Sequence, residues 1–90
     1  MSTIRIVEYL GGVSPFDGEY VVEYLGDQPS TAPDGTKLPF TLVTTPDPAR
    51  AHQYRDKAEA LEVWRKEYGV RLWDLKPNRP LTAFTVEIAE

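Results

Sequence analysis

Asp47-Pro-Ala-Arg-Ala-His-Gln-Tyr-Arg-Asp-Lys-Ala-Glu-Ala-Leu-Glu-Val-Trp-Arg-Lys-Glu-Tyr-Gly69 is the stretch whose reading decides the fold. Asp47 offers a carboxylate to free backbone amides, and Pro48 suits a first helical position. Pro48, Ala51 and Tyr54 then share one side of a short helix. Asp56-Lys57-Ala58-Glu59 reads as a fresh capping box that restarts the chain as a longer helix. Along that helix Leu61, Trp64 and Tyr68 form an apolar stripe with Ala60 beside them. Glu62 and Lys66 stand four apart on the opposite side, in the favourable order. Val63 falls near the polar side. Gly69 closes the helix, so the spacing predicts a main helix over 57–68.

Strand-like segments flank this stretch. Residues 3–10 and 19–25 are rich in β-branched and aromatic residues, and turn chemistry from Gly11 to Gly18 separates them. Val7-Glu8-Tyr9-Leu10-Gly11 recurs as Val22-Glu23-Tyr24-Leu25-Gly26, a period too short for a repeat architecture. Residues 40–44 form a third strand with Phe40 and Leu42 on one face. Between them, Gly26 to Pro39 has no periodicity and reads as a loop without regular structure. After the helix, residues 70–74 suggest a short strand or extended lead-in. Pro77 and Pro80 make 76–80 a turn. Residues 81–89 alternate as a last strand, with Phe84, Val86 and Ile88 facing the core. The prediction is one α+β domain over 1–90, a mainly antiparallel sheet of four or five strands with the helix packed on one face. The helical connection could set strands 40–44 and 81–88 side by side.

Composition narrows the function. The apolar share is 41 % and the charged share 27 %, ordinary for a globular chain. The net charge of −4 speaks against generic phosphate-backbone binding. Charge is unevenly spread: in residues 1–34, Arg5 alone faces Glu8, Asp17, Glu19, Glu23, Asp27 and Asp34. The absence of cysteine excludes a disulfide scaffold, thiolate metal sites and a cysteine nucleophile. No apolar run reaches membrane-spanning length, and residues 1–6 are too polar to open a signal peptide. A cytoplasmic protein without membrane contact is expected.

No constellation of residues carries recognisable chemistry. His52 is the only histidine, and helical spacing from Ala51 turns it towards solvent. Asp17 with Glu19, and Glu59 with Glu62, have structural uses in turns, caps or ion pairs. Gly11-Gly12 leads into Val-Ser-Pro rather than a helix, so no phosphate-cradling loop forms. The aromatics lack the basic strand pattern that stacks bases. An enzyme is not expected, nor a cofactor, a metal or direct nucleic-acid contact. Trp64 belongs to the core. Trp73, between Leu72 and Asp74, is the aromatic best placed for partial exposure, and exposed tryptophan is a frequent interface anchor.

Three segments together carry a resemblance: 47–54, 57–65, and 76–88, the last containing Pro77-Asn78-Arg79-Pro80-Leu81-Thr82-Ala83-Phe84. They resemble small uncharacterised bacterial proteins associated with phage or integrated mobile elements. The likeness covers about half the chain and implies no activity, cofactor or catalytic residue. The function expected is a non-enzymatic binding or accessory module, with another protein as partner. The candidate surfaces are the 26–39 loop and the 73–79 turn, with Trp73, Asn78 and Arg79 as partner-binding residues. The alternative is a small acidic inhibitor that mimics nucleic acid, motivated by the negative first third.

Overall fold

Alternation in Thr3-Ile-Arg-Ile-Val-Glu-Tyr9 puts Ile4 and Ile6 on one face, and this segment forms β1, with both isoleucines fully buried. The computed structural model describes residues 1–71 and 73–89. β2 (Tyr20–Leu25) follows, then β3 (Ser30–Thr31), β4 (Lys37–Leu38) and β5 (Thr41–Thr45). A 3₁₀ turn at Pro48–Arg50 leads to α1 (Lys57–Trp64). A second 3₁₀ turn, Pro80–Ala83, leads to β6 (Phe84–Ala89). The architecture is α+β: a four-stranded antiparallel sheet in the order β5-β2-β1-β6, plus a two-stranded β3-β4 sheet.

One sheet face is covered and the other faces solvent, as antiparallel sheets allow. The core gathers Ile4, Ile6, Val21, Leu42 and Phe84 from the sheet, with Phe16, Phe40, Tyr54, Ala60 and Leu81 laid over them. Phe84 is its aromatic hub, meeting the Phe16 ring at 5.9 Å and the Phe40 ring at 6.2 Å, both edge-on. On β6, Phe84 is buried, while Val86 and Ile88 are half-buried against the core. Leu81, expected at the start of that strand, is instead a fully buried residue of the 3₁₀ turn.

Several further expectations are corrected. The main helix ends at Trp64, not at 68. Tyr68 donates its amide to the Asn78 carbonyl at 2.7 Å, so strand-like pairing takes the residue that a last helical turn would need. The buried stripe also shifts. Ala60 is the buried helix residue, Val63 and Trp64 are half-buried, and Leu61 is 39 % exposed. The first helix shrinks to the 3₁₀ turn, capped by Asp47 as expected. Ala51 and Tyr54 are buried, but from an extended segment: Tyr54 exchanges two backbone hydrogen bonds with Ser2, at 2.7 and 2.8 Å. Finally, β5 and β6 lie at opposite edges of the sheet rather than side by side.

The 26–39 segment is a braced hairpin rather than an irregular loop. Ser30 Oγ donates to the Phe40 carbonyl, and Thr41 Oγ1 donates to the Gln28 carbonyl. Asp34 accepts the Thr36 amide across the turn at Gly35, whose φ of 90° suits glycine. Those contacts with Thr36 hold the Asp34 carboxyl below its usual range. Ala32 and Leu38 plug the hairpin onto the core.

Candidate functional site

Residues 68–78 build a second hairpin that projects beyond the helix. Its base is two backbone bonds, Tyr68 to Asn78 at 2.7 Å and Asn78 to Gly69 at 2.9 Å. Val70 and Pro77 form a bridge above it, and Arg71 donates its amide to the Lys76 carbonyl at 2.9 Å. Gly69, expected to close the helix, serves this hairpin with φ 73°. The lead-in strand expected at 70–74 includes Leu72, which lies outside the described residues.

The base is anchored through Tyr68. Its ring lies directly on Gly26, where a Cβ would collide with it, and meets the Tyr24 ring edge-on at 5.8 Å. Tyr24 in turn accepts the Leu81 amide on its hydroxyl, and burial raises that phenol well above its ordinary pKa. The tip is braced by charge. Arg71 makes a two-pronged contact with Asp74, at 3.2 and 2.6 Å, and Asp74 also accepts the Lys76 amide. Paired forks of this kind fix geometry as well as adding energy.

This braced tip presents apolar side chains outward. Trp73 is 79 % exposed and Leu75, in left-handed backbone at φ 57°, is 77 % exposed. The Arg71 guanidinium lies 5.5 Å from the centre of the Trp73 ring. A non-glycine residue in that backbone region is uncommon and is retained only where its surroundings impose it.

Beside the tip opens a cleft of about 590 Å³, between this hairpin, the β1–β2 connection and the β3–β4 hairpin. Phe16, Phe40 and Phe84 of the core line it, and Leu10 and Val13, 72 % and 98 % exposed, stand on the β1–β2 side. Trp73, Asn78 and Arg79, the three residues singled out in the sequence, all line this cleft. Their environments differ. Trp73 projects. Asn78 is half-buried, its backbone closing the hairpin and its side-chain amide pointing to the Tyr68 carbonyl at 3.4 Å. Arg79 is exposed and contacts Glu67 at 2.6 Å.

Leu10 and Val13 lie outside the surfaces expected from the sequence, and Leu75 lies inside the expected 73–79 turn without being singled out there. The available signal was apolar side chains beside turn residues, where no sheet face could cover them. His52 is exposed as expected, although it lies outside any helix, and its ring meets Tyr54 edge-on at 4.5 Å. Among the described residues, no three His, Asp or Glu side chains are grouped to hold a metal ion, and no helix is long and apolar enough to cross a membrane. The chain matches no protein-family model, no curated protein and no solved structure.

Proposed function

We propose that this domain is a non-enzymatic, protein-binding module that engages its partner through Trp73 and the adjoining cleft. The observation that carries the reading is a highly exposed tryptophan held on a cross-braced tip. Exposing such a ring to water is unfavourable, and rigid aromatic side chains at the rim of a desolvated pocket are frequent binding hot spots. Leu10 and Val13 extend the apolar rim across the cleft. Asn78 acts by shaping the hairpin, and Arg79 as a charged rim contact. The resemblance to proteins of phage and integrated elements supports an accessory role in such an element, and the cysteine-free sequence suits a cytoplasmic setting.

The nucleic-acid mimic has less support. Several of its acids have structural partners: Asp17 accepts from Ser14, Glu19 from Thr44 and Asp34 from Thr36. Capture from lysate of the native host, with wild-type and Trp73→Ala baits in parallel, tests the reading. At least one protein held by the wild type should be lost from the variant. Identical captures by the two baits would overturn it.

A further inference from the structure

β6 is an edge strand whose outer side, among the described residues, carries unpaired hydrogen-bonding groups. Ile6 donates its amide to Glu19 and accepts from Gly18, so both its backbone groups turn towards β2. In an antiparallel ladder successive residues point their backbone groups to opposite sides. Arg5 therefore bonds to Glu87, its partner across β1 and β6, while Val86 and Ile88, opposite Ile6 and Ile4, turn outward. The same parity holds at Phe84, whose outward carbonyl accepts the Trp64 indole N–H at 3.2 Å. Beyond that capped position, no backbone bond from the described residues outside the sheet reaches Val86 or Ile88.

Beside this edge runs an apolar groove of about 640 Å³ between β6 and α1, lined by Leu61, Trp64, Val86 and Ile88. This groove gives the exposure of Leu61 a use. An edge with open amides and carbonyls is a template for another strand, and an adjoining groove gives that strand side-chain specificity.

We propose that this edge accepts an extended segment of a protein partner as an added antiparallel strand. Residues placed directly opposite Val86 and Ile88 share their face and enter the groove, so the segment carries apolar side chains two positions apart. The residue between them lies opposite Glu87, on the outer face. Glu87 is largely exposed and its contact with Arg5 is loose at 3.6 Å, so a basic side chain fits there. A second copy of this chain fits poorly. The two-fold register that satisfies all four outward groups pairs Val86 with Ile88 of the other copy and sets the two Glu87 carboxylates against each other, a destabilising cross-strand pair. The proposal shares with the preceding reading only that the partner is a polypeptide. Its site is distinct from Trp73.

The test uses capped peptides with Lys at alternate positions and Val, Ile, Leu or Phe at the two positions flanking the central Lys. They are titrated into the isotope-labelled full chain. Binding should slow amide exchange at Val86 and Ile88. N-methylation of the two apolar peptide residues, which keeps their side chains and removes their donors, should weaken binding tenfold or more. Glu87→Lys should weaken the Lys-centred peptides and favour their Glu-centred counterparts. Trp73→Ala should bind them as the wild type does. No saturable binding by any peptide up to about 1 mM would overturn the proposal. So would indifference to N-methylation, which would mean that side chains dock without strand pairing. Loss of binding in Trp73→Ala would move the peptide to the cleft. Dimerisation of the peptide-free protein with protection of the same two amides would give the edge to a second copy.

Discussion

The β1–β6 ladder and the 68–78 hairpin are both antiparallel pairings, yet they spend their apolar residues in opposite directions. In the ladder, Ile4, Ile6 and Phe84 are withdrawn almost completely from water. In the hairpin, Tyr68 anchors the base, but Val70, Trp73 and Leu75 face solvent, and the tip is held by backbone bonds and the Arg71–Asp74 fork. A thin domain commits its apolar burial to one side of one sheet. A segment beyond that side holds its shape by polar bracing, which leaves its apolar side chains available. Substitutions in the two regions should therefore separate stability from binding.

The largest effect is expected at the aromatic hub. Phe84→Ala should cost about 3–5 kcal/mol, most of the stability of a domain this size, as read from denaturant unfolding. A loss below about 1 kcal/mol would mean the cluster of Phe16, Phe40 and Phe84 is not the keystone its geometry implies. Gly26→Ala comes next. Its new methyl strikes the Tyr68 ring and should cost about 1–3 kcal/mol by overpacking. The loss should be concentrated in the hairpin, with amide exchange accelerated at Tyr68 and Asn78 more than at Ile6.

Tyr54→Phe tests the buried side of the comparison, where Tyr54 pairs with Ser2 at the start of β1. Burial, aided by Glu59, pushes the Tyr54 hydroxyl up to about 12 from an ordinary 10. A raised folded-state pKa means its contribution is fully present below pH 10 and is lost as pH rises through 12. The unfolding free energy measured between those limits should fall off less steeply in the variant than in the wild type. Ser2→Ala is a smaller change. The Ser2 hydroxyl is buried without a partner among the described residues, so its removal should leave stability unchanged or raise it by up to about 1 kcal/mol. The smallest effect on folding is expected at the hairpin tip. Trp73→Ala should stay within about 0.5 kcal/mol of wild type in denaturant midpoint while it loses partner capture. A markedly destabilised Trp73→Ala would show that the tip is structural and would erase the contrast.

The strands and caps were legible because their causes are local. Alternation in 3–9 and 84–89 needs no partner to be recognised, and Asp56 accepts the Glu59 amide at 2.9 Å as its spacing implied. That contact holds the Asp56 carboxyl below its usual range. The helix length was not legible, since its end depends on Asn78 competing for Tyr68 from ten residues away. The bridge from Tyr54 to Ser2 spans still more chain and turned a helix-like pattern into extended backbone. At the candidate site, Trp73 could be singled out from its polar neighbour and thin setting. Leu10 and Val13 needed the fold, because only the tertiary arrangement sets the β1–β2 connection across from the hairpin. The β6 edge was equally hidden: which strand lies outermost is a property of sheet order.

The order β5-β2-β1-β6 also has a kinetic consequence. β1, β2 and β5 are joined through turns and a short hairpin, so their pairings close comparatively small loops. β6 must find β1 across nearly the whole chain, with Thr3 pairing to Ala89. Closing so long a loop costs only a little more than closing a short one, but the search is slow and comes before any reward from contacts. Docking of β6 should then be the late event in folding. Until it occurs, β1 is itself an unprotected edge, the form in which the chain is most open to aggregation. Refolding yield should fall with protein concentration, and substitutions on β6 should speed unfolding more than they slow folding.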